Sequence, residues 1–272
     1  MKTESLNACV RLAIATALAQ AVALPAAAQT QAPSTAATDG RWHFVVAPYM
    51  WFTGMKGSAS VGGLPEVPVE ASFSDIWKDF SFGLAGHFEG RKNRFGFCTD
   101  FMYTDLSAPV AANSPVIGGL GLKAGVKQLF TEGFGFYRVA TGGPAKNPAT
   151  LDLLVGVRYT GTSTQLTANG STGIQYAGQK KDLDWVDAMA GVRARVPLGS
   201  RVALMGRADV AGFGTKLTWN LEGDLATQVS DHWVFAAGWR HMHIDYDEGS
   251  GTGRKLFDIG YDGPRAWFAY AW

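Results

Sequence analysis

The sequence predicts a transmembrane, antiparallel, up-and-down β-barrel, and three observations predict it. A signal-like segment opens the chain, runs alternating apolar with charged residues fill it, and an aromatic-ending strand closes it. In that last strand Ala266, Phe268, Tyr270 and Trp272 share one face, opposite Arg265, Trp267, Ala269 and Ala271. Because successive strand residues point to opposite sides, the first set forms an apolar stripe. It ends in the amphipathic rings that a lipid–water interface favours.

Residues 1 to 28 combine a charged start (Lys2, Arg11), an apolar run from Leu12 to Leu24, and Ala26-Ala27-Ala28 ahead of Gln29. This is the pattern of a cleaved secretory signal. The run is Ala-rich and shorter than the roughly 20 apolar residues of a spanning helix, and no later stretch is long and apolar enough for one. Membrane insertion is therefore expected as a closed sheet. Residues 29 to 40 are polar and expected to be flexible, leaving 41 to 272 for the barrel.

The chain carries 24 Lys and Arg against 23 Asp and Glu, and the signal would remove two basic residues and one acidic one. The balanced remainder gives no electrostatic case for nucleic acid. Cys98 is the one cysteine beyond the signal, which excludes an intramolecular disulfide. With no metal-ligand spacing around it, Cys98 is read as a small structural filler of the lumen, and no metal or cofactor is expected. A mean hydropathy of 0.00 suits a barrel, which needs apolar residues only on its lipid face.

About ten long strands are expected, with 8 to 12 possible. Each comes near the roughly 9 to 11 residues that cross a bilayer at a tilt. Residues 41 to 53 are apolar on both faces and interrupted by Pro48, so length and position carry that assignment. In the long segment 54 to 79, Val67 to Phe73 could return as a strand and add a hairpin, and 74 to 80 reads as a helical turn capped by Ser74. Next, 94 to 106 sets Phe95, Phe97, Phe101 and Tyr103 against Gly96, Cys98, Asp100 and Met102, a clear period of two. Residues 123 to 140 scatter Phe130, Phe134 and Phe136 against Leu129, Tyr137 and Val139, and are again assigned by position.

The later runs alternate cleanly. Leu151, Leu153, Val155, Val157 and Tyr159 oppose Asp152 and Arg158; Val186 to Val196 oppose Asp187, Arg193 and Arg195; Val202, Leu204, Ala208 and Val210 oppose Arg207 and Asp209; Leu217 to Val229 oppose Asn220, Glu222 and Asp224. In 255 to 272, Asp262-Gly263-Pro264 predicts a bulge or kink. Connections at 92–93, 198–200 and 230–232 are tight, whereas 54–79, 107–118, 165–182 and 247–254 are longer, as periplasmic turns and extracellular loops are. A longish turn at 141–149 and a short outer one at 212–215 are the exceptions. An even strand count puts both termini in the periplasm. Interfacial girdles are expected from Trp42, Trp233, Tyr270 and Trp272 on the periplasmic side and from Trp51, Trp77, Tyr103, Trp185 and Trp219 on the outer side.

Ala47-Pro48-Tyr49-Met50-Trp51, Val67-Pro68-Val69 with Phe73-Ser74-Asp75-Ile76, Phe88-Glu89-Gly90-Arg91-Lys92, Gly156-Val157-Arg158-Tyr159 and Gly238-Trp239-Arg240 occur in an order that resembles a proteobacterial family of small, largely uncharacterised outer-membrane β-barrel proteins. The resemblance covers nearly the whole mature chain and implies fold and location in a Gram-negative outer membrane. It brings no established activity. The final residues also resemble the signal read by the outer-membrane insertion machinery, with Arg265 in its polar position and Tyr270 and Trp272 in its aromatic ones; Trp267 departs from the usual glycine.

By strand parity, His87, Glu89, Arg91, Asp100, Arg158, Asp187, Arg193, Arg195, Arg207, Asp209, Glu222, Asp224 and Arg240 face the lumen. A barrel of about ten strands is near the size whose interior side chains fill it. The expected role is therefore non-enzymatic: an envelope structural barrel, or a narrow, porin-like passage lined by Arg193, Arg195, Arg207 and Arg240. The expected partners are membrane lipid and lipopolysaccharide, with the chain a monomer. Two alternatives stay open. His241, His243 and Asp245 alternate near the outer rim and could form a surface hydrolase site near Asp105 or Asp182, or the loops could bind an external ligand in adhesion.

Overall fold

The computed structural model describes residues 40–61, 67–78, 80–109, 121–145, 147–169, 175–250 and 254–272. The expected signal and nearly all of the expected flexible segment lie outside these residues.

Alternating side chains and Gly- or Asn-containing turns convert the sequence into β1 (Trp42–Trp51), β2 (Gly54–Val61), β3 (Val67–Ala71), α1 (Phe73–Lys78), β4 (Phe80–Lys92), β5 (Phe95–Pro109), β6 (Gly121–Gly142), β7 (Ala149–Asn169), β8 (Gln175–Pro197), β9 (Val202–Gly212), β10 (Leu217–Gln228), β11 (Trp233–Glu248) and β12 (Lys255–Ala271). Each strand from β4 to β12 pairs antiparallel with the next, β1 pairs with β4, and β1 with β12 closes the ring. Among the described residues ten strands make this wall, with the β2–β3 hairpin as an addition. Closure satisfies the ladder without leaving an edge in lipid.

The outward face is apolar through the belt of the barrel. Leu84, Val155, Val157, Val186, Leu204, Val210, Leu221 and Leu225 all project freely from the wall. At the end bearing the tight turns a girdle of rings packs together: Trp233 stacks on Phe268 at 4.7 Å, Phe95 lies 4.7 Å from Tyr137, and Phe44 leans on Trp272 at 5.6 Å. A closed wall that is greasy outside and charged inside is the outer-membrane form of the β-barrel, so the chain spans a Gram-negative outer membrane with its tight turns in the periplasm.

Three local expectations change. The helical turn starts at Phe73, and its cap is Ser72 rather than Ser74: the Ser72 hydroxyl accepts the Asp75 N–H at 3.3 Å while Asp75 Oδ2 accepts the Ser72 N–H at 3.3 Å, a reciprocal capping box. The step at Asp262-Gly263-Pro264 is not a bulge against β11, with which β12 stays in continuous register. There the other edge of β12 changes partner, from β2 (Lys255 to Asp262) to β1 (Arg265 to Ala271), and the Phe52 N–H donates to the Pro264 carbonyl at 2.9 Å. A Cβ on Gly263 would lie 2.1 Å from the Phe52 carbonyl oxygen, which is why the crossing residue is glycine. Lastly, Trp51 and Trp185 do not join the outer girdle; both are buried inside the lumen.

Candidate functional site

The lumen is built in three tiers. On the periplasmic side a cavity of about 420 Å³ runs from the mouth, where Arg201, Asp231 and His232 sit on tight turns, up to Tyr49, Phe134, Arg207 and Glu222. Its walls come from alternate residues of the surrounding strands. Glu89 of β4 accepts from Arg193 of β8 at 2.6 Å, and Arg193 also reaches Asp152 of β7 at 2.9 Å, which in turn accepts from Arg138 of β6 at 2.8 Å. Arg91 and Arg195 hydrogen-bond the backbone carbonyls of Asn93 and Pro148, each at 3.2 Å. His87 Nδ1 lies 3.3 Å from Asp100, whose other oxygen accepts the Tyr49 hydroxyl at 2.7 Å.

Above the cavity lies a layer of paired charge. Arg158 is wholly buried, donating to Glu132 at 2.9 Å and to Asp209 at 2.6 Å. Arg207 bridges Glu132 (2.6 Å) and Asp209 (2.8 Å). Arg240 donates to Asn220 at 2.8 Å and lies 3.3 Å from Glu222, and Arg265 pairs with Glu222 at 2.8 Å and with Asp224. The guanidinium planes rest on rings: Arg193 over Phe136 at 4.5 Å, Arg207 over Phe134 at 4.7 Å, Arg240 over Trp51 at 4.7 Å. These aromatic contacts help satisfy largely desolvated cations.

The third tier, toward the outside, is an apolar core inside the barrel. Trp51, Met102, Phe130, Trp185, Met242, Ile244, Tyr246, Phe257, Ile259 and Tyr261 pack together, each buried. Trp185 stacks on Tyr246 at 4.6 Å, and the Tyr261 hydroxyl is held by Gln128 at 2.6 Å. The cavity below is thus closed at its outer end by charge pairs and then by rings.

All thirteen residues placed in the lumen by parity point inward. Twelve belong to the lower two tiers. Asp187 instead sits near the outer rim, where its Oδ1 accepts from the Gly214 N–H (2.9 Å), the Thr215 N–H (2.7 Å) and the Thr215 hydroxyl (2.9 Å), and its Oδ2 from Trp185 Nε1 (3.1 Å). It anchors the short β9–β10 turn, in which Phe213 holds a φ of 92°. Parity sets Asp152 and Asn220 on the same charged faces; Glu132 and Arg138 lie on β6, where the pattern gives no signal, and with Asp152 they complete the ion pairs. In the closing strand, Tyr270 and Trp272 lie on the outward face and Arg265 turns inward.

At the outer rim His241, His243 and Asp245 face outward, away from the lumen. His241 pairs with Asp262 at 2.9 Å and His243 with Asp258 at 3.1 Å, and the Trp219 ring covers His241 at 4.6 Å. Asp105 is engaged instead by Lys127 at 3.3 Å. Among the described residues each imidazole pairs with a carboxylate, and neither bonds a hydroxyl or thiol. Close by, Asp247 accepts from Arg254 (2.9 Å) and Lys216 (2.8 Å), which hold its carboxyl well below the usual carboxylate range.

No protein-family model and no curated protein sequence matches this chain. Solved structures similar to it are outer-membrane β-barrels of Gram-negative bacteria. They include the translocator domain of the autotransporter NalP from Neisseria meningitidis (14% identity, 85% of this chain and 88% of that one, TM-score 0.42). The outer membrane protease OmpT from Escherichia coli (7%, 85% and 96%, TM-score 0.47) and Ail, the attachment invasion locus protein of Yersinia pestis (9%, 85% and 98%, TM-score 0.35), are similar at the same level.

Proposed function

We propose that this chain is a non-enzymatic, monomeric envelope protein whose barrel does not conduct solutes, and that its role is structural. The observation that carries this reading is the double closure of the lumen. The charge layer leaves its arginines paired, and the apolar core above it would have to be taken apart before a hydrated solute could pass. On this reading, export begins with cleavage after Ala28, the insertion machinery reads the β12 terminus, and the rim above the belt meets lipopolysaccharide.

Liposome swelling tests this directly. Vesicles carrying the refolded chain, diluted into iso-osmotic arabinose, glycine or sodium phosphate, should swell no faster than empty vesicles. Swelling that rises with the amount of folded chain would overturn the proposal in favour of a passage.

A further inference from the structure

In the wall of the periplasmic cavity, side chains from adjacent strands bring three different donor types together. His87 and Glu89 are neighbours on the inward face of β4, and Cys98 of β5 is the register partner of Glu89. Their donor atoms all lie within 4.8 Å of one another. The separations are 3.6 Å from His87 Nε2 to Cys98 Sγ, 3.4 Å from Cys98 Sγ to Glu89 Oε2, and 3.8 Å from His87 Nε2 to Glu89 Oε2. A tetrahedral Zn2+ bound about 2.0 to 2.3 Å from nitrogen, oxygen and sulfur ligands requires those donors to stand roughly 3.3 to 3.6 Å apart. The cluster matches that triangle to within a few tenths of an ångström.

We propose that His87, Glu89 and Cys98 bind one divalent cation of the zinc class. A mixed thiolate, imidazole and carboxylate set selects a borderline-soft metal over Mg2+ or Ca2+, which take oxygen ligands. The surroundings are those of a metal-binding histidine. Nδ1 faces Asp100, and Tyr49 donates to the second oxygen of that carboxylate, so the ring is oriented with Nε2 aimed at the thiol and Glu89. His87 and Glu89 both line the cavity, which supplies the entry path and leaves room for a water as the fourth ligand. Binding displaces the Cys98 thiol proton to solvent, so the cluster gains one net positive charge, and Arg193, whose Nη1 lies 2.6 Å from Glu89 Oε2 and 3.9 Å from Cys98 Sγ, must yield that oxygen to the cation while keeping Asp152. A spacing motif cannot show this site, because its ligands come from two strands joined by register rather than by proximity in sequence.

The test uses the refolded full barrel with Co2+ as a spectroscopic stand-in for Zn2+. Wild type should take up one equivalent and develop a sulfur-to-cobalt charge-transfer band that Zn2+ abolishes. Cys98→Ser should lose the band while keeping heat-modifiable barrel migration, and Asp100→Asn should keep the band but bind about 10- to 100-fold more weakly. As a check needing no variant, saturating Zn2+ should raise the urea midpoint of wild-type unfolding. Absence of saturable uptake, a band that survives in Cys98→Ser, or a wild-type midpoint unmoved by Zn2+ would overturn the site and leave the cluster a set of mutual hydrogen bonds.

Discussion

Arg158→Ala should cost roughly 3 to 5 kcal/mol of folding stability, measured by urea unfolding of the barrel in lipid vesicles. The guanidinium is wholly buried and stands between Glu132 and Asp209, at 2.8 and 2.6 Å. Coulomb attraction across those distances roughly offsets the cost of removing the ions from water, so the intact pair contributes little by itself. Removing the cation alone leaves two buried carboxylates repelling one another with a reduced complement of positive charge. A second substitution, Glu132→Gln, should return part of the loss in the Arg158→Ala background, although Arg207 and Arg240 also face Glu132 and will limit the recovery. A loss below about 1 kcal/mol, typical of exposed pairs, would mean that water reaches this layer.

Trp185→Ala should cost about 3 to 5 kcal/mol in the same assay, for a different reason. The ring fills the outer core, stacked on Tyr246 at 4.6 Å with Phe257 at 6.0 Å, and its Nε1 donates to Asp187 at 3.1 Å. Truncation leaves a cavity among groups fixed on separate strands of a closed wall, which cannot collapse around it. It also takes one hydrogen bond from the aspartate that anchors the β9–β10 turn. Were Trp185 an interfacial girdle residue, as its position in the sequence suggests, the change would cost far less and would act through lipid contact. A loss near that of Arg158→Ala therefore places the ring inside.

Where the sequence misleads, the cause is a change of surroundings partway along the strands. Through the membrane belt the rule is apolar outside and charged inside, and there parity assigns Glu89, Arg158, Arg207 and Glu222 to the correct face. The barrel continues above the belt, and its outward face there no longer meets lipid. On β11 the apolar positions move inward at Met242, Ile244 and Tyr246, while His241, His243 and Asp245 turn outward. On β12 Ile259 and Tyr261 point in, and Asp258 and Asp262 meet solvent. This inverted half follows the rule of a soluble barrel, apolar inside and charged outside, so one rule does not hold along a whole strand.

β6 is obscure in sequence for a related reason. Its inward positions include Phe130, Glu132, Phe134, Phe136 and Arg138, so rings occupy places where a polar lumen is expected. Their purpose emerges only with the arginines of other strands laid on them, as Arg207 lies on Phe134 and Arg193 on Phe136. The strand count and the tight turns are legible because they depend on local residues. Ion pairs between residues 104 positions apart, such as Arg193 with Glu89, depend on how a closed wall curves and are not.

Single-channel recording of the refolded chain in planar bilayers asks whether the lumen is sealed. A sealed lumen gives a flat trace at either polarity from protein that runs as a heat-modifiable, folded barrel. Reproducible conductance steps from that same preparation would contradict it, because ions would then be crossing both the charge layer and the aromatic core.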